Sequence, residues 1–284
     1  MKEKVVNKFL VNALIIILAT AITILVHVVM PAGVNEEDLD GALVQLFGFP
    51  LISVFYFILL FTHCAVVVQY FGKKANMQRL QIGSRFGLAF ALIYLFGMQE
   101  VSVETSPFAE WGSAFVNYQF FMGVGDAIPV LLLCITIAYF LLNNTNITSS
   151  VKTLSSAEKV KVVALIAAAF LIERFIGYET GVLVSSCHTY PVPCYLWTML
   201  FGVVLGCCYV ILYPLFARES NKLSISVNLA VLTIGANWMI FNSFIGLIFS
   251  GYILQTLLRS GIDMAVLFLI SIVVGKYLLK TIKA

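Results

Sequence analysis

The stretch AAFLIERFIGYETG, residues 168–181, puts a charged pair, Glu173 and Arg174, inside a run that otherwise belongs in lipid. Its reading decides how many times the chain crosses a membrane. A spanning helix needs roughly 20 mainly apolar residues, and the run at about 160–179 qualifies only if the pair is accepted within it. Glu173 and Arg174 stand about 12 and 13 residues beyond Lys161, roughly 18 to 20 Å along a helix at 1.5 Å per residue. An ionised side chain at the centre of a spanning helix costs about 2.5 to 3.5 kcal/mol even on the lenient insertion scale. Neighbours in sequence do not face one another on a helix, so each member of the pair needs a partner on another segment.

The rest of the chain supports the spanning reading. Of its residues 61% are hydrophobic and 11% charged, with a mean hydropathy of +1.00, whereas soluble domains are about a quarter charged. Runs of spanning length occur at about 10–30, 50–71, 86–104, 125–142, 160–179, 195–216, 225–249 and 262–280. No connection between them is long enough for a soluble domain. The first run follows Lys2, Lys4 and Lys8, but its apolar stretch from Phe9 to Met30 exceeds a signal-peptide core, so it reads as a helix.

Charge sets the expected orientation, because loop Lys and Arg mark the cytoplasmic side. With eight spans, 15 of the 17 basic residues fall on one side, and Arg174 and Arg259 are the two left over. Acids run the opposite way: only Glu3, Glu158 and Glu219 of the 14 fall on the basic side. The net charge of +3 is then the sum of two opposed faces and does not point to nucleic acid.

The expected fold is an all-α polytopic integral membrane protein. It is a bundle of eight transmembrane helices in one domain over 1–284, with both termini cytoplasmic, in the inner membrane of a prokaryote. A weak parallel 4+4 repeat over 1–146 and 147–284 is suggested by DAIPVLLLCITIAYFLL from Asp126 against DMAVLFLISIVVGKYLL from Asp263. An aspartate opens each of these segments. Between the third and fourth spans, Phe108, Trp111, Phe115, Tyr118 and Met122 form an apolar stripe. Such a stripe suits a helix lying in the interface or folded over the outer mouth.

Ionisable and polar groups at membrane depth are the candidate site. Glu100 and Glu104 are four apart, share a helix face and repel one another unless a cation sits between them. Arg174 is one such cation, and a bound ion or solute is another. Asp126 and Asp263 are expected at helix N-termini, where unpaired amides favour a carboxylate. Asn237 and Asn242 add polar groups on the seventh span. His27 and His63 lack ligand spacing and read as structural. No zinc-protease, P-loop or nucleophile-elbow pattern occurs, and neither a catalytic set, a metal site nor a cofactor is expected. Cys187 and Cys194 flank HTYPVP in an outer loop and are expected to form a disulfide. Gly202 and Gly206 form a GxxxG suited to close helix contact.

These residues point to a carrier or channel-like protein for a cation or a small cationic or zwitterionic solute. In that role Glu100, Glu104, Asp126 and Glu173 titrate or coordinate, and Arg174 is the internal counter-ion. An intramembrane enzyme acting on a lipid or lipid-linked substrate is the alternative, with Glu100 and Glu104, or Asp126 and Glu173, as general acid and base. A non-catalytic sensor or assembly partner is the third. The expected partners are the bilayer and a small solute or ion.

Overall fold

The computed structural model describes residues 2–30, 39–103, 112–143, 154–217 and 221–278. Every regular element in it is helical: α1 Lys2–Val29, α2 Ala42–Phe47, α3 Phe49–Gly72, α4 Arg79–Gly97, α5 Glu100–Val103, α6 Gly112–Leu141, α7 Ser156–Glu179, α8 Pro191–Phe216, α9 Lys222–Ile225, α10 Ala236–Ile248 and α11 Ile253–Val273. Two π-helical segments, Ser226–Gly235 and Val274–Leu278, continue α9 into α10 and extend α11. Seven of the resulting helices are long and apolar enough to cross a membrane. The eighth long helix, α7, has the length of the others, but Glu173 and Arg174 interrupt its apolar surface.

Local chemistry explains where these helices start. Gly48, at φ +83°, turns the chain out of α2, and Pro50 then occupies the first turn of α3, where its missing N–H is no loss. Ser155 and Glu158 form a capping box at α7: the Ser155 Oγ accepts from the Glu158 amide at 3.3 Å, and the Glu158 carboxylate accepts from the Ser155 amide at 2.8 Å. Pro191 opens α8 in the same way as Pro50 opens α3. In the π segment the Thr233 hydroxyl donates to the carbonyl five residues back, Asn228, at 2.7 Å, matching the wider π register.

The helices close into a bundle in which α6 packs on α1, α3 and α4. From there α4 packs on α8, α8 on α7, α7 on α11, α11 on α10, and α10 back on α3. Glycines let two of these pairs approach closely. A Cβ at Gly83 or Gly87 of α4 would meet α6 backbone at 2.7 to 2.9 Å, and one at Gly206 of α8 would lie 2.8 Å from Val163 Cα of α7. The glycine pair in α8 thus faces the helix that carries Arg174. Gly206→Leu is expected to cost about 1 to 3 kcal/mol by overpacking. The check is thermal unfolding in detergent, with the lipid-facing Leu200→Ala as a neutral control (Leu200 is 42% exposed).

Several expected boundaries move. The fourth span begins at Gly112 rather than near residue 125, so the Tyr118 and Met122 part of the aromatic stripe belongs to α6 itself. No helix breaker separates the stripe from the span, and the helical period runs on through Gly123 and Gly125. Phe108 and Trp111 lie outside the described residues. The last span likewise begins at Ile253, not near 262. Asp126 and Asp263 therefore sit inside helices and cap neither. The third span stops at Gly97, and Glu100 begins the separate turn α5.

The connection from α7 to α8 folds back on α5. Cys187 and Cys194 are both buried and at disulfide distance, with Cα atoms 5.2 Å apart. Beside them the Ser186 amide and hydroxyl both donate to the Val103 carbonyl, at 2.7 and 2.9 Å. In SDS without reductant, neither cysteine should react with iodoacetamide, while Cys64, Cys134, Cys207 and Cys208 do. Peptide mapping checks this, and labelling of Cys187 and Cys194 before reduction would contradict the disulfide.

Candidate functional site

Arg174 is the centre of a fully buried ionic network at the end of the bundle away from the basic loops. Its Nε and Nη2 donate to the two oxygens of Asp263 at 2.8 and 2.7 Å, a bidentate pair between α7 and α11. Its Nη1 donates to Glu100 Oε1 at 2.7 Å and to the Tyr178 hydroxyl at 3.1 Å. Arg259 reaches the same Glu100 oxygen at 2.5 Å, and its Nη2 donates to the Val184 carbonyl in the connection from α7 to α8. Trp238 of α10 donates from Nε1 to Asp263 Oδ2 at 2.8 Å. Two guanidinium groups thus face two carboxylates, and the charges balance. Balance matters, because a buried charge left alone costs several kcal/mol.

Glu173 adds a further carboxyl beside this set. It lies 3.9 Å from Arg174 Nε, and its side chain is 10% exposed.

A cavity of about 370 Å³ lies next to the network, between α1, α3, α6 and α10 at the same end of the bundle. Pockets for small molecules run to roughly 300–1,000 Å³, mostly apolar with a few placed polar groups. This one fits that description. Its wall is aromatic: Tyr56 stacks on Phe244 at 4.4 Å between ring centroids and meets Phe57 edge-on at 5.0 Å. Among the described residues, three buried oxygen atoms of its lining have no hydrogen-bond partner: Asp126 Oδ1, Ser53 Oγ and Asn242 Oδ1. Asp126 is 2% exposed, and His27 Nε2 lies 3.4 Å from its Oδ1. Gly125 leaves room for that ring, since a Cβ there would come within 3.3 Å of His27 Cε1. Pro129, one turn on in α6, has no N–H to offer the Gly125 carbonyl.

Trp238 separates and joins the two places. Its Nε1 belongs to the network, while its ring lies 6.0 Å from that of Phe241, which lines the cavity.

The residues singled out in the sequence are distributed as follows. Glu100, Glu173 and Arg174 meet. Asp126 does not join them; it stands in the cavity wall, because α6 enters the bundle beside α1 and not beside α7. Asn242 lines the cavity, its Nδ2 donating to the Thr256 carbonyl at 3.4 Å. Asn237 is used inside the bundle, donating to the Tyr94 hydroxyl at 3.0 Å. Glu104 lies outside the described residues. Sequence reasoning left out Arg259 and His27 and gave Asp263 only a capping role. Arg259 carried a signal of its own, as one of the two basic residues that the charge asymmetry did not place. Among the described residues, no group of three or more His, Cys, Asp and Glu side chains is arranged to hold a metal ion.

The chain matches no family model, no curated protein and no solved structure. The functional reading therefore rests on the geometry.

Proposed function

We propose that this chain is a multi-pass membrane carrier or channel-like protein for a small organic cation, which it holds in the cavity beside Asp126. The observation that carries the reading is the Asp126 carboxylate, 2% exposed in an aromatic wall, whose Oδ1 has no hydrogen-bond partner among the described residues. Buried carboxylates are paired or costly, and the partner the cavity invites here is a cation. Ser53 and Asn242 supply two more oxygens, and the Tyr56, Phe57 and Phe244 rings offer π faces to an ammonium group. The ligand is therefore an amine or ammonium compound with an apolar body.

In this reading the Arg174 network is the frame of the site rather than its binding surface, because Arg174 and Arg259 are already paired with Glu100 and Asp263. The basic end of the bundle faces the cytoplasm, α7 is the eighth span, and the cavity lies toward the outer face. Calorimetric titration of the protein in nanodiscs with benzyltrimethylammonium, against benzenesulfonate as an anion of similar size, tests the reading. Saturable binding of the cation alone is expected. Equal heats for both, or none for the cation, would overturn it.

A further inference from the structure

We infer that His27 and Asp126 hold one proton between them in the empty cavity, and that an incoming organic cation displaces it, so that the site exchanges a cation for a proton. The inference rests on the cation-site reading above and adds the coupling ion to it.

The tautomer of His27 is set by a contact within α1. Its Nδ1 lies 2.8 Å from the Thr23 carbonyl, one turn back in α1. A carbonyl oxygen can only accept, so Nδ1 carries the hydrogen. In the neutral ring Nε2 is then a bare lone pair, and it lies 3.4 Å from Asp126 Oδ1, which offers only lone pairs of its own when ionised. That contact attracts only when a proton lies on it, either as imidazolium with carboxylate or as imidazole with carboxylic acid. Asp126 Oδ1 has no hydrogen-bond partner among the described residues, so this proton has no competitor from the protein.

The competitor is the ligand. An ammonium group beside Asp126 takes the place of the imidazolium as its counter-charge, and two cations on one buried carboxylate repel. Binding of the cation therefore expels the proton, which leaves through the His27 side, where the ring is 24% exposed while Asp126 is 2% exposed. The balance is one cation in and one proton out, with the charge of the site unchanged. The other titratable groups facing the pair are Tyr56 on α3 and Tyr118 on α6, both in the cavity lining, and α10 presents Asn242. The Tyr56 hydroxyl donates to the Phe241 carbonyl at 3.0 Å, so Tyr56 holds its own proton in a separate bond.

Linkage makes the exchange measurable. If a proton and the cation compete for one carboxylate, affinity falls as pH falls, by up to about tenfold per pH unit inside the coupled range. Benzyltrimethylammonium is the probe, because its own charge does not titrate. Calorimetry between pH 5 and 8, in pairs of buffers with different ionisation enthalpies, gives both affinity and protons released. The expected result for the unmodified protein is weaker binding at low pH and release approaching one proton per cation. His27→Gln should still bind the probe, since its amide can donate to Asp126 without a proton to lose, but with a flatter pH profile and smaller release. Gly125→Ala, whose Cβ would come within 3.3 Å of His27 Cε1 and disturb the seat of the ring without changing any charge, should move the profile in the same direction.

Binding with no proton release across the whole range would overturn the exchange and leave the cation site standing. So would a His27→Gln profile superimposable on that of the unmodified protein. Failure of the probe to bind at any pH would overturn both.

Discussion

Arg174→Ala is expected to cost about 3 to 5 kcal/mol, the range for removing one partner of a buried ion pair, and it should be the most destabilising single change in the ionic network. The substitution deletes the bidentate bond to Asp263 and the bond to Glu100 together. What remains is unequal for the two acids. Glu100 keeps Arg259 at 2.5 Å and so keeps a counter-charge, whereas Asp263 is left with the neutral Trp238 indole donor at 2.8 Å. A second substitution should therefore recover stability in a definite order: Asp263→Asn more, Glu100→Gln less. Thermal unfolding of the single and double variants in one detergent measures this as a double-mutant cycle. Strictly additive losses, or recovery in the reverse order, would remove the case that Arg174 neutralises these two carboxylates.

Asp126→Asn should behave in the opposite way, and the contrast separates the frame from the site. Two unit charges about 5 Å apart at an effective dielectric of about 20 attract by roughly 3 kcal/mol, so loss of the carboxylate should weaken benzyltrimethylammonium binding by about 100-fold or more. Stability in the absence of ligand should change little, because the amide can donate to His27 Nε2 across the same contact in place of the shared proton. The amide keeps the shape of the residue. Destabilisation comparable with Arg174→Ala would instead make Asp126 part of the structural framework. Undiminished cation binding would move the ligand away from Asp126 altogether. Neither result is expected from a carboxyl group that lines the cavity and has His27 as its ionic contact among the described residues.

How much of this was legible in advance depends on the range over which each residue acts. The charged pair in AAFLIERFIGYETG could be read as needing partners on other segments, because intrahelical geometry keeps Glu173 and Arg174 from facing each other. Glu100 could be named as a partner from its depth alone. Asp263 was harder, since the apparent start of its helix at 262 made it look like a cap. The helix in fact begins at Ile253, and this sets both Arg259 and Asp263 inside the bundle. Asp126 was misplaced for the same reason: continuation of α6 back to Gly112 carries it into the interior. The His27 contact had no signature in spacing, because 99 residues separate its two members in sequence and only the packing of α1 on α6 joins them.

By itself the sequence determined what hydrophobicity and charge can determine: an all-helical chain with long apolar helices, the concentration of basic residues at one end of the bundle, and the presence of ionisable groups that must find partners or uses. Those properties are sums over segments and do not depend on which helix meets which. Tertiary structure alone decided that Arg174 is satisfied by two carboxylates while Asp126 retains an unsatisfied oxygen. That distinction arises from contacts between helices remote in the chain, and the apolar surfaces that bring them together are too alike for the sequence to show which will pair.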